Sequence, residues 1–217
     1  MKFAVGNTNR GIVTIKAQPQ VYDGYPPLSA VSLKWPNFQT CSDRFAVASA
    51  LLFSPWSAGT AEFDRGISAL TASRLSEWYS EVCNVWFSAL PVRQGGLRIP
   101  RGGMRASLVT DSAYHADKGE LLPDSPEREH VSISFCDLAD STTWDANNIR
   151  IASNVDVLCR PTDQRFKAYL YLGLSLLIAE SCGINELRYW DLNVASEAER
   201  VATVRLLESV SIGLTID

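Results

Sequence analysis

The sequence predicts an α/β protein with a mostly parallel sheet flanked by helices and an α+β part at its N-terminal end. Three observations predict it. Residues 162–183, TDQRFKAYLYLGLSLLIAESCG, open polar, run apolar on every face from Phe166 to Ala179 and stop at Gly183, as a buried helix does. Asn185 to Trp190 follows at once as a short strand-like run. The C-terminal half as a whole reads strand, loop, strand, strand, helix, strand, helix, strand, and such alternation favours parallel pairing under covering helices.

The remaining elements follow in chain order. Residues 3–5 and 11–17 read as two strands joined through Asn9–Gly11, residue types that tolerate positive φ. Pro19, Gly24, Pro26 and Pro27 make residues 18–27 a loop. Residues 31–35 alternate loosely, as a strand does. Ser42 and Asp43 open a helix that is apolar almost all round through Leu52 and is ended by Pro55. Residues 61–63 read as extended. From Ile67 to Trp86, Leu70, Leu75, Trp78, Tyr79, Val82 and Val85 recur at helical spacing opposite Arg74, Glu77 and Glu81, which predicts an amphipathic helix.

Residues 87–103 carry two Gly-Gly pairs and Pro100 and read as loop and turns. They divide an N-terminal α+β part, 1–96, from an α/β domain, 97–217, unless the two form one continuous domain. Residues 104–109, 131–135, 149–151 and 155–158 are strand candidates, and 116–128 is a polar, proline-containing surface loop. Ser196 with Glu199 three residues on forms a capping box for a last helix through Leu207, and 210–217 close as a strand.

Composition excludes several classes. With 217 residues, 46% of them hydrophobic, the chain can bury roughly 70% of its unfolded surface and needs no disulfide or metal to fold. A net charge of −4 supplies no broad field for nucleic acid or acidic lipid. The five cysteines are widely spaced without a CxxC pair, which argues against zinc and for free buried thiols in a reducing cytosol. The N-terminal residues lack the apolar core of a signal peptide. The apolar run from Phe166 to Ala179 would rise only about 21 Å against a hydrocarbon core of about 30 Å. A cytoplasmic protein without a membrane span is expected.

Two constellations could bind an anion. In LRIPRGGMRASLVTDSAYH, Arg98, Arg101 and Arg105 surround Gly102 and Gly103, and the strand-like ASLV delivers Thr110, Asp111 and Ser112. Glycine pairs let backbone N–H groups approach an anion, guanidinium forks bind phosphate, and ligands of α/β sheets sit at carboxyl ends of strands. The same residues also fit a solvated turn followed by a helix cap. Arg165 and Lys167, with Asp163 and Gln164, lie in the first turn of the buried helix. There they either add to the anion-favouring helix start or are simply exposed. His115 and His130 are too few and too far apart to specify a metal or acid–base site. No nucleophile elbow, P-loop, dinucleotide fingerprint or HExxH is present. Trp56, Trp78 and Trp86 read as exposed, core or interface anchors.

Over residues 97–210, DQRFKAYLYLGLSLLIAESCGINELRYWDLN and the upstream LRIPRGGMRASLVTDSAYH resemble the PP-loop ATP pyrophosphatases, in the 7-cyano-7-deazaguanine synthase-like branch. DRFAVASALLF and AEFDRGISALTASRL resemble the N-terminal part of related stand-alone proteins in bacterial defence clusters. The resemblance implies a PP-loop, adenine nucleotide hydrolase-like fold. Asp111 and Ser112 match the last two positions of the family's SGGxDS loop, whereas Leu108, Val109 and Thr110 replace Ser-Gly-Gly. Side chains there block the close backbone approach that a pyrophosphate needs. The branch's four-cysteine zinc site has no counterpart in this sequence.

What is implied is therefore a catalytically degenerate relative rather than an enzyme. It would be a binding or scaffolding subunit, with a protein partner or as a homo-oligomer, in bacterial antiviral defence. Two alternatives stay open. One is an active ATP-dependent nucleotide- or base-modifying enzyme. In it Asp111 and Ser112 hold phosphate or Mg²⁺, and Arg98, Arg101, Arg105 and Lys167 neutralise charge. The other is an assembly protein without a small-molecule site.

Overall fold

The computed structural model describes residues 1–7, 11–93, 103–108, 130–160, 162–189, 192 and 194–216. The strands are β1 (Lys2–Asn7), β2 (Ile12–Gln18), β3 (Ala30–Lys34), β4 (Gly59–Ser68), β5 (Phe87–Arg93), β6 (Met104–Leu108), β7 (His130–Asp137), β8 (Thr143–Trp144), β9 (Asn148–Ser153), β10 (Ile184–Tyr189) and β11 (Gly213–Ile216). The helices are α1 (Ser42–Leu52), α2 (Ala69–Trp78), α3 (Val155–Cys159), α4 (Gln164–Cys182) and α5 (Glu197–Glu208).

All eleven strands join one sheet in the order β11-β10-β6-β7-β9-β3-β2-β1-β4-β5, with β8 on β9. The fold is α/β with a mostly parallel sheet flanked by helices. Pairing is parallel from β11 to β9 and again from β1 through β4 to β5. The antiparallel meander β1-β2-β3 joins the two parallel groups and, through β3 on β9, reverses the strand direction between them. The sheet thus runs unbroken across the boundary near residue 96. Within the second group the chain order β6, β7, β9, β10, β11 gives the spatial order 3-2-1-4-5, the doubly wound pattern.

Several local expectations change. The helix expected over 67–86 divides. Ala61 and Phe63 alternate with Glu62 and Asp64, a period of two that places residues 59–68 in β4. Ser68 then caps α2 by accepting from the Thr71 N–H at 3.2 Å. A π-helical turn, Tyr79–Cys83, ends the helix at Asn84, whose φ is 53°. Leu70 faces solvent instead of the core, and Trp86 lies beyond the helix and is exposed. Residues 87–93, expected as loop, pair with β4 as an edge strand that buries Phe87 and Ala89. Residues 155–158, expected as a strand, form α3, which turns Val155 and Leu158 into the core. Local propensity loses there to tertiary burial.

The core is built on two helices without a solvent face. Every residue of α1 is buried, and α4 is buried from Ala168 through Ala179 apart from Tyr171. The two pack at Gly173, where a Cβ would lie 2.8 Å from the Ala48 carbonyl oxygen and 3.0 Å from Leu52 Cγ. Trp78, expected on the apolar face of its helix, is fully buried, and its Nε1–H donates to Thr203 Oγ1 at 3.0 Å. Its ring meets Tyr169 edge-on with centroids 5.0 Å apart. The Tyr169 hydroxyl donates to Glu199 at 2.7 Å, so α2, α4 and α5 share one buried polar network. Ser196 caps α5 as expected by accepting from the Glu199 N–H at 3.1 Å, while the Glu199 carboxylate reaches one residue past the box position and accepts from the Ala195 N–H at 2.8 Å.

Candidate functional site

The doubly wound order has a physical consequence. The chain leaves β6 toward β7 on one side and returns to β10 on the other, so connections diverge at the β6/β10 boundary. A crevice opens at the carboxyl ends of such strands, and ligands of α/β sheets bind there. The carboxyl end of β6 is Leu108, beside Tyr189 of β10 and Ile133 of β7. Thr110, Asp111 and Ser112 follow it in sequence and lie outside the described residues, as do Arg98, Arg101, Gly102 and His115.

α4 begins at this same end, because it carries the chain from the carboxyl end of β9 back to the start of β10. Arg165 belongs to its first turn, and its side chain lies outside the described set. Lys167 is half-buried and stands close enough to Cys159 to favour the thiolate electrostatically. Burial outweighs that influence, and the Cys159 thiol is pushed up to about 11. Above it the Tyr171 hydroxyl donates to Asp156 Oδ1 at 2.9 Å, and the Tyr171 ring stacks on Phe135 with centroids 5.3 Å apart. This Asp156–Cys159–Lys167–Tyr171 cluster escaped sequence reasoning because its members come from two helices and no motif links them.

The other described candidates sit elsewhere. Gly103 is exposed just before β6, and Arg105 is the second residue of that strand, so both lie at its amino end. At about 3.3 Å per residue Arg105 is roughly 10 Å short of the carboxyl end. It also points away from α4, since Ala106 and Leu108 alternate with it into the core. On that outer face its Nε donates to Glu186 of β10 at 2.7 Å. The fold does not bring Arg105 and Lys167 together. His130 starts β7 in register with Arg105, at the same amino end.

Burial holds four of the five thiols toward the protonated form. No disulfide joins the five cysteines. Burial pushes Cys182 up to about 12 and raises Cys41 and Cys136 as well. In the native protein near pH 8, Cys159 and Cys182 are expected to alkylate more than about 100-fold slower than in urea, because an unperturbed thiol near 8.5 is far more ionised. Peptide mapping after timed iodoacetamide exposure measures this. Native labelling of either residue at the unfolded rate would disprove it.

Among the described residues no group of three or more histidine, cysteine or acidic side chains is arranged to hold a metal ion. Among them, too, no helix is long and apolar enough to cross a membrane. No protein-family model, no curated protein and no solved structure matches the chain.

Proposed function

We propose that this protein is a catalytically degenerate, PP-loop-like binding or scaffolding subunit that acts through protein contacts, in bacterial antiviral defence. The observation that carries the reading is the β6/β10 switch point. A phosphate-binding protein of this topology needs a glycine-rich turn directly after its first strand, so that backbone N–H groups can wrap the anion. Here the strand ends at Leu108 and the sequence goes on with Val109 and Thr110 in place of glycines. Arg105, the described arginine nearest in sequence, is bound to Glu186 at the opposite end of the strand and neutralises that carboxylate instead of a phosphate. The defence setting rests on the resemblance alone.

Calorimetric titration with ATP and Mg²⁺, together with a pyrophosphate-release assay, tests the reading. The expected result is no pyrophosphate release. Release that is abolished by Asp111→Ala would overturn it in favour of the ATP-dependent enzyme. Heat of binding without release would leave a degenerate site that still holds the nucleotide, which the proposal accommodates.

A further inference from the structure

Residues 18–27 read in sequence as a plain loop, yet the fold ties them down beside a recess. The Asp23 side chain is fully buried. Its Oδ2 accepts from the Gln20 N–H at 2.7 Å, its Oδ1 accepts from the Ala58 N–H at 2.9 Å, and the Gly24 N–H donates to the Trp56 carbonyl at 2.8 Å. The loop held in this way displays Tyr22 and Tyr25, which are 81% and 88% exposed, and sets Tyr22 across the recess from Trp56. The approach is close. A Cβ on Gly24 would lie 3.4 Å from Trp56 Cδ1, and one on Gly59, whose φ is +71°, would lie 3.6 Å from Tyr22 Cδ2.

The recess has a volume of about 280 Å³. Three aromatic side chains from distant parts of the chain line it: Tyr22 from the loop, Trp56 from the turn after α1, and Phe166 from the start of α4. Cys83 and Val85 add to its apolar wall. Among the described residues no charged side chain lines it. Asp23 lies outside the lining and is paired with the Met1 α-amino group at 2.7 Å. The hydroxyls of Ser54 and Ser57 donate to the Leu51 and Phe53 carbonyls at 3.0 Å each, which leaves only lone pairs for an occupant.

We propose that this recess binds a small quaternary ammonium compound of the choline type, with the trimethylammonium head between the three rings. The face of an aromatic ring carries negative charge and attracts a cation, tryptophan most strongly. A trimethylammonium head has no N–H, so it loses no hydrogen bond on leaving water, whereas a primary ammonium would leave donors unpaired among these rings. An anion finds no cationic side chain in the lining to receive it. Size agrees, because a cavity of about 150 Å³ already accepts a benzene ring and the trimethylammonium head is no larger than that. The hydrogen bonds of Asp23 and Gly24 hold Tyr22 and Trp56 in place before a ligand arrives, so little ordering entropy is lost on binding. The inference is independent of whether nucleotide binds at the switch point.

Isothermal titration calorimetry of the full chain tests it, with choline and with neohexyl alcohol, the uncharged analogue in which carbon replaces nitrogen. Choline is expected to bind saturably with a Kd of about 1 mM, and the uncharged analogue at least about 10-fold more weakly, because the two differ only in charge. Trp56→Leu keeps an apolar side chain but removes the ring face, and is expected to weaken choline about 10-fold while changing the uncharged analogue little. Tyr22→Leu, at an exposed position, is expected to weaken choline about 3-fold with an unchanged melting temperature, which keeps the test independent of folding. Equal affinity for choline and the uncharged analogue would reduce the site to an apolar recess and overturn the proposal. Absence of saturable binding at tens of millimolar choline overturns it as well. Phosphocholine and N-acetyl-trimethyllysine amide carry the same head on an anion and on a protein-like side chain. Choline is expected to bind more tightly than either, and tighter binding of either one overturns the assignment to a free choline-type compound.

Discussion

Replacement of Gly173 by valine is expected to abolish stable folding, and Gly173→Ala to lower the melting temperature measurably. The buried helices α1 and α4 touch here through backbone. A Cβ at residue 173 would sit 2.8 Å from the Ala48 carbonyl oxygen and 3.2 Å from the Leu52 nitrogen, neither of which can rotate away. Alanine is the better helix former by about 1 kcal/mol, which opposes the steric penalty. Overpacking a close-packed interior costs about 1–3 kcal/mol for a methyl-sized insertion and more for valine. The clash is with main-chain atoms of α1, which cannot move aside as a side chain could, so the penalty exceeds the propensity gain. For a chain of this size each kcal/mol lowers the melting temperature by about 2–4 °C. Thermal and urea denaturation of Gly173→Ala measure the effect, and a variant as stable as wild type would show that the helices can separate without loss.

Arg44→Ala is expected to be the second most damaging change, at about 3 kcal/mol. Arg44 lies in the first turn of α1 and is fully buried. Its Nε donates to the Val210 carbonyl at 3.1 Å and its Nη2 to the Ser211 carbonyl at 3.4 Å, just past the end of α5. A cation at that position complements the negative end of the helix dipole and satisfies carbonyls with no intrahelical partner. Burial weakens the basicity of the guanidinium, although the nearby Cys41 and Glu180 oppose that shift. Removing the side chain leaves the buried Val210 carbonyl unpaired at about 1–3 kcal/mol, loses the weaker part-buried bond to Ser211 and opens a cavity.

The guanidinium has its own desolvation cost, which its loss would relieve. Arg44→Met separates the two contributions, because it fills the space but donates nothing. It is expected to lose about 1–2 kcal/mol. Urea unfolding of both variants, with hydrogen exchange at the end of α5, measures the difference. A methionine variant more stable than wild type would show that the charge is kept for a reason other than stability.

The buried helix α4 and the strand after it could be read from sequence because their signal is local. An unbroken apolar run and a terminal glycine need no partner to be recognised. The helix cap at Ser196 was equally plain. The strand at residues 59–68 was blurred because the helical spacing of Leu70, Leu75 and Trp78 was extended upstream through Ile67, across the Ser68 cap. α3 was hidden because Val-Asp-Val-Leu-Cys is a strand-like composition that only core contacts override. At the candidate site, sequence grouped Arg98, Arg101 and Arg105 by proximity in the chain. Strand direction separates Arg105 from the helix start at Lys167, and only pairing partners reveal direction. The cluster around Cys159 and the display of Tyr22 and Tyr25 had no sequence signal beyond residue type, since hydrogen bonds from Ala58 and to Trp56 make the loop rigid.

By itself the sequence determined that this is an α/β protein with a largely buried central helix, free thiols and no complete catalytic motif, since each follows from composition or local periodicity. Tertiary structure alone decided the strand order, the switch point at β6 and β10, the glycine crossing of α1 and α4, and the buried state of Arg44. It also decided which aromatic residues are left facing solvent. The physical reason is common to all of these. Periodicity states which face of an element is apolar, but what that face meets depends on contacts between residues distant in the chain, and the free energy of those contacts exists only once the sheet has closed around its helices.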